Sequence, residues 1–296
     1  MSHAFPPSRP PRPPGREPVT VTRFAPSPTG YLHLGHAHAA LVAHAEVRRS
    51  GGRFLLRLED IDRARCRPEF EAAIVEDLAW LGLAWSEPVR RQSDHLVDYA
   101  QALAALEGLG VLYPCFCTRA DIQAEIAAAG QAPHGPDGPL YPGTCRRRPA
   151  EERARLRAEG VAHALRLDVA KAAALPGPLT WHDRGRGVVR AEPAAFGDVV
   201  LARKDTPTSY HLAVTVDDHL QGVTLVTRGE DLFAATHVHR LLQALLGLDT
   251  PDYHHHRLLV DENGRRFAKR DKALTLRALR EAGRSPAEAR AMAGFV

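Results

Sequence analysis

Apolar and polar positions divide the chain into short alternating runs and longer runs of helical period. Val19-Thr20-Val21-Thr22 alternates as a half-buried strand does, and Arg53–Asp62 repeats the pattern with Phe54, Leu56 and Leu58 on one face. Between them Ala37, Ala40 and Leu41 recur at helical spacing until Gly51-Gly52 stops the run. Phe70, Ile74, Val75, Leu78 and Leu81 predict a helix over 68–81, with Pro68 suited to its first turn. Further helices are predicted over 94–108, 120–129 and 146–157, the last strongly charged. From His163 to Phe196 short β-like runs alternate with Pro, Gly and Asp. Asp198–Arg203 and Tyr210–Asp218 then read as strands returning to a central sheet. Val223–Thr227, leading into Arg228-Gly229-Glu230-Asp231, is another, and His237–Leu246 is an amphipathic helix. Such β–α alternation predicts an α/β fold with a doubly wound parallel sheet. Its halves would be 19–106 and 194–260, separated by an insertion at 107–193 and followed by a loop and short helices at 261–296.

Composition narrows this little. The 296 residues suffice for a sizeable core, and 44% hydrophobic and 25% charged content is ordinary for a globular protein. No apolar run is long enough to span a bilayer and no signal-peptide pattern opens the chain. Four unevenly spaced cysteines make no disulfide framework, so a reducing cytoplasm is expected, and a monomer is expected. Residues 1–18, rich in proline and arginine with few apolar groups, are expected to be disordered. Net charge is +4, and the tail's three arginines and one glutamate account for half of it. That is compatible with a nucleic-acid partner but does not establish one.

The stretch Arg23–His36 changes the picture. Pro26, Pro28 and Gly30 force a turn between strand and helix. Strand, tight turn and helix start point backbone N–H groups and a helix dipole at an anion. His33 and His36 flank Gly35 there and can donate to phosphate oxygens. Glu59 and its acidic neighbours close the second strand, and Arg228 closes a later one; ligands in open α/β sheets bind at such strand ends. A guanidinium there suits a carboxylate.

Arg23-Phe24-Ala25-Pro26-Ser27-Pro28-Thr29-Gly30, with His33-Leu34-Gly35-His36, resembles the signature of class I aminoacyl-tRNA synthetases in its glutamyl form. Arg57-Leu58-Glu59-Asp60-Ile61-Asp62, Tyr210-His211-Leu212-Ala213-Val214 and Arg228-Gly229-Glu230-Asp231-Leu232 are similar to further blocks of that family. The resemblance implies a Rossmann-like catalytic domain that binds ATP with Mg²⁺ and adenylates L-glutamate. It implies ATP contacts from His33, Gly35 and His36, and a glutamate pocket formed by Arg23, Ala25, Ser27, Glu59, Tyr210 and Arg228. In it Arg23 would hold the side-chain carboxylate and Glu59 the ammonium.

Cys115-Phe116-Cys117 and Tyr141-Pro142-Gly143-Thr144-Cys145 make a second constellation. Three thiolates are most of a tetrahedral zinc site, with a phenolate, a histidine such as His134, or water as the fourth ligand. Cys66 lies apart and is expected to be a free core thiol. The cysteine pattern resembles that of the smaller paralogues of glutamyl-tRNA synthetase, the glutamyl-queuosine tRNA(Asp) synthetases, and implies Tyr141 as fourth ligand of one structural Zn²⁺. The partner so implied is tRNA(Asp) carrying queuosine. Arg266-Phe267-Ala268-Lys269-Arg270 resembles the mobile Lys-Met-Ser-Lys-Ser loop, with Lys269 retained for the phosphates and the serine replaced by Ala268. With few residues after it, no helical anticodon-reading domain is expected. Two other readings remain open, a truncated enzyme charging a tRNA 3′ end and a catalytically idle RNA-binding module. Trp80 and Trp85 are expected in packing. His254-His255-His256, on an extended segment, would point to alternating faces and not share one ion.

Overall fold

The structure, a computed structural model, describes residues 19–128, 134–136, 138–259 and 275–295, with side chains of 125–128 and 134–135 excepted. The tail 1–18, the side chain of His134 and the segment Arg266–Arg270 with Lys269 lie outside the described residues.

In chain order, β1 (Val21–Phe24) passes through the proline turn into α1 (Leu34–Ser50), which ends at Gly51 in the left-handed region (φ 65°). β2 (Arg53–Leu58), α2 (Pro68–Trp80) and β3 (Ser86–Arg91) complete a parallel sheet in the order β1-β2-β3. α3 (Leu96–Gly108) then leads to β4 (Leu112–Cys115), α4 (Arg119–Ala128), the short pair β5 (His134–Gly135) and β6 (Gly138–Pro139), α5 (Thr144–Arg147) and α6 (Ala150–Ala158). Next come β7 (Ala164–Leu167), α7 (Val169–Ala174), β8 (Thr180–Asp183), β9 (Gly187–Arg190) and β10 (Val200–Ala202). The chain continues through α8 (Tyr210–Leu220), β11 (Leu225–Gly229), α9 (Ala235–Leu246), β12 (Asp252–His256), α10 (Leu276–Glu281) and α11 (Pro286–Met292).

β11, β12 and β8 run parallel, and β9 folds back on β8. This sheet meets the first edge to edge. The Thr224 N–H donates to Val21 O (3.0 Å) and the Val21 N–H to Thr224 Oγ1 (2.9 Å). The order therefore reverses between β1 and β11, which puts a crevice at their carboxyl ends. One core packs α1, α2 and β2 against α10 and α11, through Leu41, Leu56, Ile74, Leu78 and Leu276. A second gathers α3, α8 and α9 around Tyr99, Leu106, Leu212, Val216 and Leu241. Trp80 and Trp85 pack partly buried against the first, as expected.

Several elements differ from expectation. Tyr210–Leu220 is a helix, not a strand: Leu212 through His219 are all buried, so no amphipathic period marks it. A short apolar run of this length reads alike as core strand or core helix. β10 pairs antiparallel with β7, and β7 with β4, so it joins a separate three-stranded sheet and not the central one. Conversely, β8 comes from the stretch read as insertion but pairs with β12 at Asp183 and Tyr253. β3 was not foreseen. Val75 turns outward, and Cys66 is only half buried.

Candidate active site

The Pro-Ser-Pro-Thr-Gly turn is laid against the end of β2, where the Glu59 N–H donates to Pro26 O (3.1 Å). It delivers the chain to His33, the N-cap of α1. The Gly35 N–H donates to His33 Nδ1 (3.1 Å), and the His33 N–H donates to His36 Nδ1 (3.2 Å). Both Nδ1 atoms are acceptors, so each neutral ring carries its proton on Nε2. The rings lie 3.8 Å apart between centroids. Glycine at 35 leaves room for this fold-over: a Cβ there would stand 3.0 Å from His33 Cε1 and 3.1 Å from Nδ1, so the ring would have to shift by a few tenths of an ångström. Leu276 N–H donates to Leu32 O (2.8 Å) and Thr275 bridges His33, so the chain following the Lys269 segment returns beside the two histidines. Upstream of that segment, Leu258 presses on Gly229 at the end of β11. Ala25 is half buried and Ser27 exposed in the same turn.

Arg23 and Arg57 point from β1 and β2 to one carboxylate supplied by α8. Asp218 Oδ1 accepts from Arg23 Nε (2.9 Å) and Arg57 Nη1 (2.8 Å), with Thr227 O taking Arg23 Nη1 (3.1 Å). Burial alone would raise Asp218; the two guanidiniums outweigh it and hold it below the usual carboxylate range. Arg57 Nη2 donates to Glu59 Oε1 (3.2 Å). Burial nevertheless leaves Glu59 raised. The neighbouring Asp217 is held by Arg90 (2.7 Å), Gln92 (2.8 Å) and the Tyr99 hydroxyl (3.0 Å).

Tyr210 opens α8 beneath β11. Its hydroxyl lies 3.5 Å from Arg228 Nη1, and burial raises its pKa against the opposing charge of Arg228. The charges of Glu59, Arg23 and Asp218 act on the same phenol. Arg23, Glu59, Tyr210 and Arg228, spread over more than 200 residues of chain, are thus brought to one place beside the crevice. The residues that sequence reading missed are those holding them: Arg57, Asp217, Asp218, His239 and His255.

The cysteines meet at the start of α5. The sulfurs of Cys115, Cys117 and Cys145 lie within 4.8 Å of one another, and the Tyr141 hydroxyl is 3.4 Å from Cys115 Sγ and 3.5 Å from Cys117 Sγ. Burial pushes the Cys117 thiol up to about 11. For Cys145 burial is outweighed by the Phe116 N–H and the contacts of Tyr141 and Cys117, bringing it down to about 7. Three soft sulfur donors and a phenol oxygen around one point fit a tetrahedral divalent ion, which these four residues could hold. The three histidines of β12 diverge as expected: His254 meets Glu46, His255 meets Asp183, and His256 meets the Arg257 carbonyl.

Known proteins resemble this chain in sequence and fold. The model of the class I tRNA synthetases (E and Q), catalytic domain, matches residues 19–292. The glutamyl-Q tRNA(Asp) synthetase of Rhodobacter capsulatus is 52% identical over 282 residues, covering 93% of this chain and all of that protein. The glutamate–tRNA ligase 2 of a Methylobacterium strain is 44% identical over 268 residues, 90% of this chain and 58% of that one. Among solved structures, a glutamate tRNA ligase from Elizabethkingia meningosepticum in complex with its amino acid superposes with TM-score 0.73 at 30% identity. The match covers 86% of this chain and 52% of that one, so this chain spans about half the length of such structures. No helix among the described residues is long and apolar enough to cross a membrane. The chain belongs to the class I tRNA synthetases of the glutamate and glutamine type, a family of ligases, and stands among its relatives named glutamyl-Q tRNA(Asp) synthetase.

Proposed function

We propose that this chain activates L-glutamate with ATP and transfers the glutamyl group to queuosine at the wobble position of tRNA(Asp). The observation carrying the first half is Arg228, a buried guanidinium at the crevice whose hydrogen bonds among the described residues all go to uncharged groups. With Arg23 beside it, the site offers positive charge to a side-chain carboxylate. Glu59, near Tyr210, takes the ammonium, and Ala25 and Ser27 border the amino acid from the turn. The α-carboxylate oxygen attacks the α-phosphorus of ATP, and pyrophosphate leaves. His33 and His36, through Nε2–H, and Lys269 stabilise the charge growing on the phosphate oxygens, with Mg²⁺ sharing it. The backbone at Gly35 lets ATP approach the helix start. A hydroxyl oxygen of the queuosine cyclopentenediol then attacks the acyl carbon of the mixed anhydride. The bond from that carbon to the phosphate oxygen breaks, and AMP leaves while the hydroxyl proton passes to its phosphate or to solvent. Cys115, Cys117, Cys145 and Tyr141 would hold one Zn²⁺, which would cross-link the strand end at Cys115 to the start of α5 as a structural ion.

The second half rests on the names of the relatives, several of which are glutamyl-Q tRNA(Asp) synthetases. Its rival is charging of a 3′-terminal ribose, favoured by the glutamate–tRNA ligase relatives. Labelled glutamate is offered with tRNA(Asp) carrying queuosine, with the same tRNA carrying guanosine, and with the queuosine form lacking its 3′-terminal adenosine. Label on both queuosine forms and not on the guanosine form is expected. Loss of label with the terminal adenosine would favour the rival, and no label on any would leave an idle module.

A further inference from the structure

Three guanidiniums are buried where β1, β2 and β11 meet α8, and they are partnered differently. Arg23 and Arg57 both close on Asp218, and Arg57 also reaches Glu59. Arg228 is as deeply buried, at 6% exposure, yet forms no ion pair among the described residues. Its Nε donates to His255 Nε2 (3.1 Å), its Nη1 to His239 Nδ1 (3.2 Å) and its Nη2 to Thr236 Oγ1 (2.6 Å). A buried cation without an acid partner is costly unless something completes it.

The imidazoles are themselves fixed. Asp183 Oδ2 stands 2.6 Å from His255 Nδ1, which must carry the proton there and so turns the Nε2 lone pair to Arg228. His239 accepts at Nδ1, so its proton lies on Nε2, 3.1 Å from His211 Nδ1. Burial, reinforced by the charge of Arg228, pushes His255 and His211 down to about 4 and His239 well below its usual range. All three are neutral near pH 7. The carboxylate of Asp183 is thereby kept one ring away from the guanidinium, its other oxygen capped by the N–H groups of Gly185 and Arg186.

We propose that His255 and His239, held in single tautomers by Asp183 and His211, are positioning residues that fix Arg228 while leaving its charge uncompensated, so that the site prefers an amino acid ending in a carboxylate over the matching amide. This rests on the reading that glutamate occupies the site. A carboxylate in place of either imidazole would grip Arg228 more firmly but cancel the charge that the substrate must meet.

The test is calorimetric binding of glutamate and of glutamine to the full chain and to H239D, H239N and D183N, with KM and kcat from pyrophosphate exchange. H239D, which sets an acid against Arg228, should weaken glutamate binding about tenfold or more while leaving glutamine within about twofold. H239N keeps an acceptor near the place of Nδ1 and should bind close to the unaltered chain. D183N frees His255 to take the other tautomer and should raise the KM for glutamate with kcat changed less than about threefold. Equal glutamate binding by H239D and H239N, or loss of both amino acids in proportion, overturns the inference while sparing the glutamate reading. If the unaltered chain binds no glutamate, both fall. Circular dichroism checks folding, and if H239D does not fold, D183N decides.

Discussion

Replacing Asp218 by asparagine removes one charge from the centre of the site and little volume. Asp218 is 7% exposed and takes Arg23 at 2.9 Å and Arg57 at 2.8 Å. The variant leaves two buried guanidiniums, from adjacent strands, sharing a neutral amide. Breaking a buried pair by neutralising one partner costs about 3 kcal/mol, which at about 2.1 cal/mol/K of unfolding entropy per residue lowers the Tm of a 296-residue chain by roughly 5 °C. Because Asp218 is held below its ordinary pKa when folded, its contribution is present above the unfolded value of about 4 and is lost as pH falls through the folded one. The gap in Tm between the two proteins should therefore be full at pH 7, begin to narrow below about pH 4 and vanish only once pH is below the depressed folded value. Glutamate-dependent pyrophosphate exchange should fall at least about tenfold in kcat/KM, because Arg23 loses the group that aims it. Thermal melts across pH and the exchange assay measure both. An unchanged Tm at pH 7, or a gap that does not narrow at all as pH falls well below about 4, would refute this account of the cluster.

Other perturbations separate the parts. Gly35→Ala pushes a methyl against the His33 ring, and should lower exchange by about two orders of magnitude while costing α1 little, since alanine favours helix; equal activity would mean the ring does not face ATP. Metal analysis of the purified chain should find one Zn²⁺, and Cys145→Ser should abolish it and lower Tm, whereas an unchanged zinc content would remove Cys145 from the site. Asp77, fully buried with neither oxygen hydrogen-bonded among the described residues, is pushed up to about 7 by burial, which outweighs the Arg280 guanidinium 3.6 Å from Oδ1. The folded chain holds a proton there that the unfolded chain loses above about 4, so the penalty is absent at lower pH and complete above about 7. Asp77→Asn should accordingly raise Tm at pH 8 and not at pH 4; equal shifts at both would argue for a packing effect.

The sequence made β1, α1 and β2 readable because their signals are local. The alternation before Arg23, the prolines and Gly30, and the helical run after Gly35 each specify geometry over a few residues. The thiols of Cys115, Cys117 and Cys145 could be grouped by spacing and residue chemistry alone. Tyr210–Leu220 was misread because a helix buried on every side has no polar face to mark its period. The supports of the site were invisible for another reason. Asp218 meets Arg57 across 161 positions and Arg23 across 195, and Asp183 meets His255 across 72. Nothing in the local pattern distinguishes such partners from other strand-end or helix polar groups. β8 joined the central sheet unannounced because a four-residue strand after Pro and Gly looks like any insertion hairpin.

The central claim is that cations from distant parts of the chain form one cavity for glutamate beside a triphosphate. It is tested most directly by exchange of labelled pyrophosphate into ATP by the purified chain, with glutamate present and tRNA absent. The account predicts label in ATP that depends on glutamate and is not supported by glutamine or aspartate. Absence of exchange with glutamate, from folded and zinc-loaded protein, would contradict it.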